Sequence, residues 1–241
     1  MTATGTILPL QLDGLAFEAA GKRLIDGISL TLGVGPRTVI LGPNGAGKSL
    51  LLRLCHGLVQ PTAGAVRWHG PGAVGNGRRQ AMVFQHPVML RRSAAANIDY
   101  ALRLKGIPRT LRRARVREVL DDTGLTPLAH RPARTLSIGE QQRLALARAW
   151  AAAPEVLFLD EPTANLDPAA TRAIEEVIGA IDLTGTKIVM TTHDLGQARR
   201  LADEIVFLHR GRLLEQRPTA EFFAKPATSE AAAFIAGKLL W

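Results

Sequence analysis

Gly42-Pro43-Asn44-Gly45-Ala46-Gly47-Lys48-Ser49 is a glycine-rich run closed by a lysine and a hydroxyl, and it fits G-x-x-x-x-G-K-[ST] in full. Glycines let successive backbone N–H groups turn towards one centre, forming a nest for an anion. The strand-like Val39–Leu41 precedes the run, and a helical stretch from Ser49 to His56 with Leu50 in its first turn follows. That order puts the nest at a helix N-terminus, where the dipole adds positive potential. Lys48 would bring its charge to the β- and γ-phosphates of a nucleotide, and the Ser49 hydroxyl would reach a Mg²⁺ ion.

A second group lies at the end of an apolar run, Val156-Leu157-Phe158-Leu159-Asp160-Glu161-Pro162. Neighbouring strand residues point to opposite faces, so two adjacent carboxylates do different jobs. Asp160 suits the metal, directly or through water, and Glu161 would polarise a water in line with the γ-phosphate. His193 follows the β-run Lys187–Thr191, at a strand's carboxyl end, where open α/β sheets bind ligands. There it could contact the γ-phosphate and orient the water. Gln85 ends the β-run Ala81–Phe84 and could bring its amide oxygen to the metal or the water.

These residues need strands that end together and helices that begin beside them. Short β-runs at Ile28–Leu32, Thr38–Leu41 and Ala65–Trp68 fill the opening third, and residues 87–150 read as helical and Arg/Ala-rich. Beyond them β-runs at Val156–Asp160, Lys187–Thr191 and Glu204–His209 alternate with helices, the pattern of a mostly parallel sheet. Asp167 is a candidate N-cap with Pro168 at the first helical position, and Asp194 begins a second, shorter helix. The densest basic run, Arg103 to Arg117, predicts one helix whose apolar stripe includes Leu111, Val116, Val119 and Leu120 and whose other face is solvated or near a membrane. Phe222, Phe223, Phe234, Ile235 and Leu239 predict a packed amphipathic tail.

Composition agrees with a globular chain. It is 241 residues long and 46% hydrophobic, enough to bury a core, and far from the disordered regime. No uninterrupted apolar stretch approaches the roughly 18 residues of a membrane span, and no secretory signal opens the chain. One cysteine, Cys55, allows no internal disulfide and fits a reducing cytoplasm. The net charge of +9 suits polyphosphate, an anionic membrane face or nucleic acid. The basic run carries no interleaved aromatics for stacking bases, so no nucleic acid is expected as partner.

Leu136-Ser137-Ile138-Gly139-Glu140-Gln141-Gln142-Arg143 resembles the signature of the ATP-binding-cassette ATPases. Ala164-Asn165-Leu166-Asp167 resembles that family's D-loop, Thr192-His193-Asp194 its switch histidine, and Gln85 its Q-loop glutamine. The likeness covers nearly the whole chain. It implies an α/β fold with a P-loop NTPase (RecA-like) core and mostly parallel sheet, an N-terminal antiparallel β-subdomain and a helical subdomain. The core would take residues 1–86 and 151–218, the helical subdomain 87–150, and the tail 219–241. It implies Mg-ATP as cofactor, and a head-to-tail homodimer with each ATP between one subunit's Lys48 loop and the other's Ser137 turn. Leu136, Ser137, Ile138, Gly139, Glu140 and Asp167 would then join the nucleotide site.

Ile138 stands where the family usually has glycine, and the family's adenine-stacking aromatic falls at Ala19, with Phe17 nearby. A single cassette without membrane spans is similar to the separate subunits of bacterial importers, peripheral on the inner face of the cell membrane. Such a subunit would dock a permease near residues 85–100, through Met89, Leu90 and Ile98 with Arg91 and Arg92 at the rim, and work with a solute-binding protein. The stretch from Phe84 to Ser93 and the tail look most like oxyanion importers, the tungstate/molybdate group first and phosphate next. The rival expectation is a soluble cassette ATPase acting on nucleic acid or ribosomes.

Overall fold

Alternating apolar residues open the chain as a β-hairpin. β1 (Leu10–Ala19) buries Leu10, Leu12 and Leu15, and β2 (Lys22–Leu32) buries Ile25, Ile28, Leu30 and Leu32. Between them Ala20 and Gly21 both take positive φ, 48° and 70°, as a two-residue turn matching the twist of its strands requires. This computed structural model describes residues 5–73 and 79–238. They divide into two compact units, Met1–Gly77 with Lys187–Trp241, and Arg78–Thr186.

In the first unit, β3 (Thr38–Leu41) is buried at every residue, as befits a strand covered on both faces. It runs into α1 (Lys48–His56), which buries Leu51, Leu52, Leu54 and Cys55 and stops at left-handed Gly57. β4 (Ala63–Trp68) then pairs antiparallel with β1, giving a three-stranded antiparallel sheet in the order β2-β1-β4.

The second unit begins with β5 (Gln80–Val83) and continues through three helices, α2 (Ala94–Leu104), α3 (Arg109–Asp122) and α4 (Ile138–Ala151). β6 (Val156–Asp160) lies parallel to β5, and α5 (Pro168–Leu183) packs against α4 through a face that buries Ile174, Val177, Ile178 and Ile181. The basic run does not form one helix. Arg103 belongs to α2, Arg109 begins α3, and Gly106 (φ 77°) and Pro108 separate them. A proline lacks the N–H a helix needs and disfavours the helical region at its predecessor. Leu111 is 61% exposed, because the buried stripe of α3 is Val116, Val119 and Leu120, and a residue five places earlier lies off that face.

The chain returns to the first unit with β7 (Lys187–Thr192), α6 (Leu195–Leu201), β8 (Glu204–His209) and β9 (Arg212–Pro218). β3 lies between β7 and β8, parallel to both, and β9 closes that side antiparallel to β8. β1 and β9 are not among the β-runs expected from the sequence. The tail forms α7 (Thr219–Ala224) and α8 (Ser229–Ile235). Phe207 of β8 takes Phe222 and Phe234 at ring distances of 5.7 and 5.5 Å, so the tail aromatics pack as expected. Buried Glu215 fastens the tail, accepting hydrogen bonds from the N–H groups of Ala227 (3.0 Å) and Thr228 (2.7 Å) and from the Thr228 hydroxyl (2.6 Å). Leu239 lies outside the described residues. No helix among the described residues is long and apolar enough to cross a membrane.

Candidate functional site

The first unit carries the phosphate loop on a buried strand. Leu41, the last residue of β3, pairs with Thr192 of β7, so Gly42 and His193 leave the sheet at the same carboxyl edge on adjacent strands. A Cβ at Gly42 would collide with the carbonyl oxygen of Leu208, and one at Gly47 would come within 2.9 Å of Ile25 Cδ1. Gly47 also takes φ 98°, a value that L side chains rarely adopt. Only glycines let the loop lie this close to its neighbours.

Gly47 caps α1 and has no side chain with which to accept from the first turn of this nine-residue helix. Ala46 is buried and fastened, its N–H donating to Pro43 O (3.2 Å) and its carbonyl accepting from Gly211 N (3.0 Å). Pro43, Ser49 and Leu50 are half-buried, and Asn44 and Gly45 are exposed. Lys48 is buried, its ammonium donating to the carbonyls of Gly42 (2.9 Å) and Pro43 (3.1 Å), which aims it across the loop. His193 is exposed directly after β7, where Thr192 Oγ1 accepts from Asp194 N at 3.1 Å and Asp194 caps α6 by accepting from Gln197 N at 2.9 Å.

The second unit presents the acid pair. Val83 of β5 pairs with Leu159 of β6, so Gln85 and Asp160 also emerge at one shared strand edge. Asp160 is buried at the end of β6, and Gln85 is half-buried two residues past β5. Glu161 takes φ 42°, in the left-handed region that a non-glycine residue rarely occupies. Its carbonyl accepts from Ala164 N at 3.1 Å, starting the turn that leads to Asp167. Asp167 Oδ1 accepts from Ala170 N at 2.9 Å as the N-cap of α5. A carboxylate only accepts, so Asp167 can meet a hydroxyl or an amine of a nucleotide but not its phosphates.

α4 begins at Ser137 with a capping box, in which Ser137 Oγ accepts from Glu140 N (3.3 Å) and Glu140 Oε2 accepts from Ser137 N (2.7 Å). The second bond, above all, holds the Glu140 carboxyl below its usual range. Gln141 Nε2 donates to Leu136 O at 2.8 Å, fixing the segment that leads into the turn. Ile138 sits in the first helical turn without positive φ and is 66% exposed, so its side chain meets solvent rather than a neighbour. Gly139 faces α5, where a Cβ would come within 2.9 Å of Ala170 Cβ.

Two features escaped the sequence. Buried Gln142 donates to Phe84 O at 3.5 Å, tying α4 to the residue before Gln85. An apolar groove of about 420 Å³ lies in the second unit, with Met82, Phe84, Val88, Ala101, Leu104 and Ala149 on its walls. Val88 is 74% exposed and Leu104 67%, and that exposure is a property of the fold, invisible in residue type alone. Of the residues expected to receive a permease, Leu90 lines this groove. Met89 and Ile98 do not, because both are buried in the core.

A glycine cradle at the carboxyl edge of a parallel sheet, an uncapped helix start and a lysine aimed across it fit a nucleotide's phosphates. No group of three or more His, Cys, Asp or Glu able to hold a metal occurs among the described residues. Mg²⁺ needs no such cluster, since it is commonly held by one or two protein groups together with phosphate oxygens and water. Fold and site together define a phosphate-loop ATPase of the α/β class. The family model described as ABC transporter matches residues 25–164, and the chain belongs to that family, as an ATP-binding subunit that hydrolyses Mg-ATP.

Among its relatives, the phosphate import ATP-binding protein PstB 2 of Natronomonas pharaonis is 35% identical over 96% of this chain and 88% of its own. The nickel import ATP-binding protein NikO of Rhodobacter capsulatus is 38% identical over 94% and 96%. The tungstate uptake system ATP-binding protein TupC of Peptoclostridium acidaminophilum is 39% identical over 86% and 98%. The solved structure of cbiO1 from Clostridium perfringens, part of the ABC transporter complex cbiONQ, superposes with a TM-score of 0.79 at 28% identity, over 95% of both chains.

Proposed function

We propose that this chain powers an ABC importer whose permease is a separate polypeptide, and that two copies close head to tail on Mg-ATP. The observation that carries this reading is the pair of matched strand edges, one bearing the Lys48 loop and His193, the other Gln85, Asp160 and Glu161. Gly42 to Leu50 bind the phosphates through backbone N–H groups and Lys48. Ser49, Asp160 and Gln85 hold Mg²⁺, which supplies charge neutralisation on the phosphates. Glu161 accepts the proton of the attacking water, and His193 donates to the γ-phosphate and orients that water. Leu136, Ser137, Ile138, Gly139 and Glu140 of one copy, with Asp167, complete the nucleotide site of the other. A two-fold pair satisfies both sites at once.

The groove receives an apolar helix of the permease at the inner face of the membrane, and a solute-binding protein feeds that permease. The solute is an oxyanion, tungstate or molybdate before phosphate. The likeness to TupC and PstB supports this order, and the nickel relative is the reason to test it. Glu161→Gln should bind ATP, dimerise with it in analytical ultracentrifugation, and hydrolyse almost none. Normal turnover by that variant would remove Glu161 from its assigned role. Recovery of the chain only with ribosomes or nucleic acid, and never with a membrane protein, would overturn the importer reading. Competition for radiolabelled uptake by tungstate, phosphate and nickel through the reconstituted complex then ranks the solutes.

A further inference from the structure

α3 is charged against its own dipole. A helix is steadied by acids in its first turn and bases in its last, and α4 of the same unit follows that rule, with Glu140 near its start and Arg148 near its end. α3 does the reverse, having no acid in its first turn and no base in its last. Arg109, Arg112, Arg113, Arg115 and Arg117 crowd its beginning, and Glu118, Asp121 and Asp122 follow towards its end. Pro108 before it supplies no side-chain cap.

Two of the arginines are matched, Arg112 with Asp99 at 2.7 Å and Arg115 with Glu118 at 2.9 Å. Arg109, Arg113 and Arg117 make no ion pair among the described residues. All three are exposed, and their four-residue spacing sets them in one row, where like charges repel. Leu111, from the same part of the helix, is 61% exposed. Each of these features costs helix stability or leaves apolar surface in water, so neither folding nor packing accounts for them. An anionic surface pressed against the helix relieves all of them together.

From this charge complementarity we infer that the beginning of α3 contacts the anionic phospholipid headgroups of a membrane, with Arg109, Arg113 and Arg117 on the phosphates and Leu111 entering the interface beside them. Nucleic acid would answer the charge alone. It fits less well, because no aromatic residue lies between Arg103 and Arg117 to stack a base, and a phosphate backbone has no place for an exposed leucine. The inference goes beyond the permease reading, since the chain then touches the bilayer itself and not only a protein within it.

Sedimentation of the purified full chain with vesicles of phosphatidylglycerol and phosphatidylcholine in equal parts, and with phosphatidylcholine alone, tests this. Binding should need the anionic lipid and weaken as salt rises. Arg109→Gln/Arg113→Gln/Arg117→Gln should bind roughly a hundredfold more weakly, about fivefold for each arginine, whereas the matching Lys variant should bind about as well as the parent. The Gln variant sheds a row of like charges, so it should melt no lower than the parent and hydrolyse ATP as fast, which separates lost contact from lost fold. A polarity-sensitive dye on Leu111→Cys, with buried Cys55 unlabelled, should shift to the blue on the mixed vesicles and not with inorganic phosphate.

Binding to phosphatidylcholine alone, equal binding by the Gln variant, or a dye at position 111 that stays in water overturns the inference. A preference for duplex RNA over the mixed vesicles overturns it in favour of nucleic acid. The vesicle results leave the permease reading standing, because that reading fails separately, if the chain co-purifies with no membrane protein.

Discussion

Glu161 carries both a chemical role and a conformational cost, and the two can be measured apart. At φ 42° an L residue is disfavoured by about 1–2 kcal/mol, a penalty glycine escapes. Glycine in turn loses roughly 0.4–1 kcal/mol through the greater freedom of its unfolded chain. Replacing Glu161 by Ala and by Gly removes the same carboxylate and the same side-chain contacts, so their difference isolates the backbone. At an ordinary position the Gly variant is the less stable of the two. Here it should be more stable by about 0.5–1 kcal/mol, or roughly 1–4 °C in melting temperature for a chain of this size. Differential scanning calorimetry reads the sign directly, and a phosphate-release assay should find neither variant turning over. If the Ala variant melts at or above the Gly variant, residue 161 is not strained. If either hydrolyses ATP normally, the carboxylate is not the group that activates water.

Ser137→Asp should keep the α4 cap, since Asp and Ser cap equally well, yet turnover should collapse because a negative charge then faces the nucleotide's phosphates; equal turnover would exclude Ser137 from the site. Glu140→Gln should lower the melting temperature by only a few degrees, and because the folded carboxyl titrates below its ordinary value of 4.5, the gap from the parent should hold above that pH and close as the pH falls through the folded value. Asp203 follows the same sign: hydrogen bonds from Arg37 hold its carboxyl below 3.8, so Asp203→Asn should differ from the parent at neutral pH and converge with it as the pH drops beneath that value. Burial raises the Cys55 thiol to about 12, so a chromogenic disulfide reagent at pH 8 should leave the native chain unlabelled and react with one thiol in urea.

What was legible in the sequence is what depends on neighbours along the chain. Asp167-Pro168 announced the start of α5 because a cap and its helix lie within four residues of each other. The glycine loop was legible because its glycines are demanded by the backbone at those positions. Features set by distant packing were hidden. Met89 and Ile98 have the residue types of a docking face, yet the fold buries both and exposes Val88 and Leu104 instead. Leu111 looked like part of a stripe until Pro108 fixed where α3 begins and therefore which way each residue points. The left-handed backbone of Glu161 had no signal at all, because glycine or asparagine is the residue that would have announced it.

The helix starts at the proposed site explain how one fold separates an anion cradle from its supports. Asp167 and Asp194 satisfy the first-turn N–H groups of α5 and α6 with their own carboxylates, which leaves those helix ends closed to phosphate. α1 begins at Gly47, which has no side chain with which to close its own helix end to an external anion. α4 is the intermediate case. Ser137 Oγ accepts in the cap while its O–H remains a donor, so one residue can hold the helix and still reach an oxygen of ATP. Alanine at 137 loses both functions, whereas aspartate keeps the first and inverts the second. On the proposed reading the signature needs a hydroxyl for a reason that capping alone does not supply, and the side chain of Ile138 is exposed beside it.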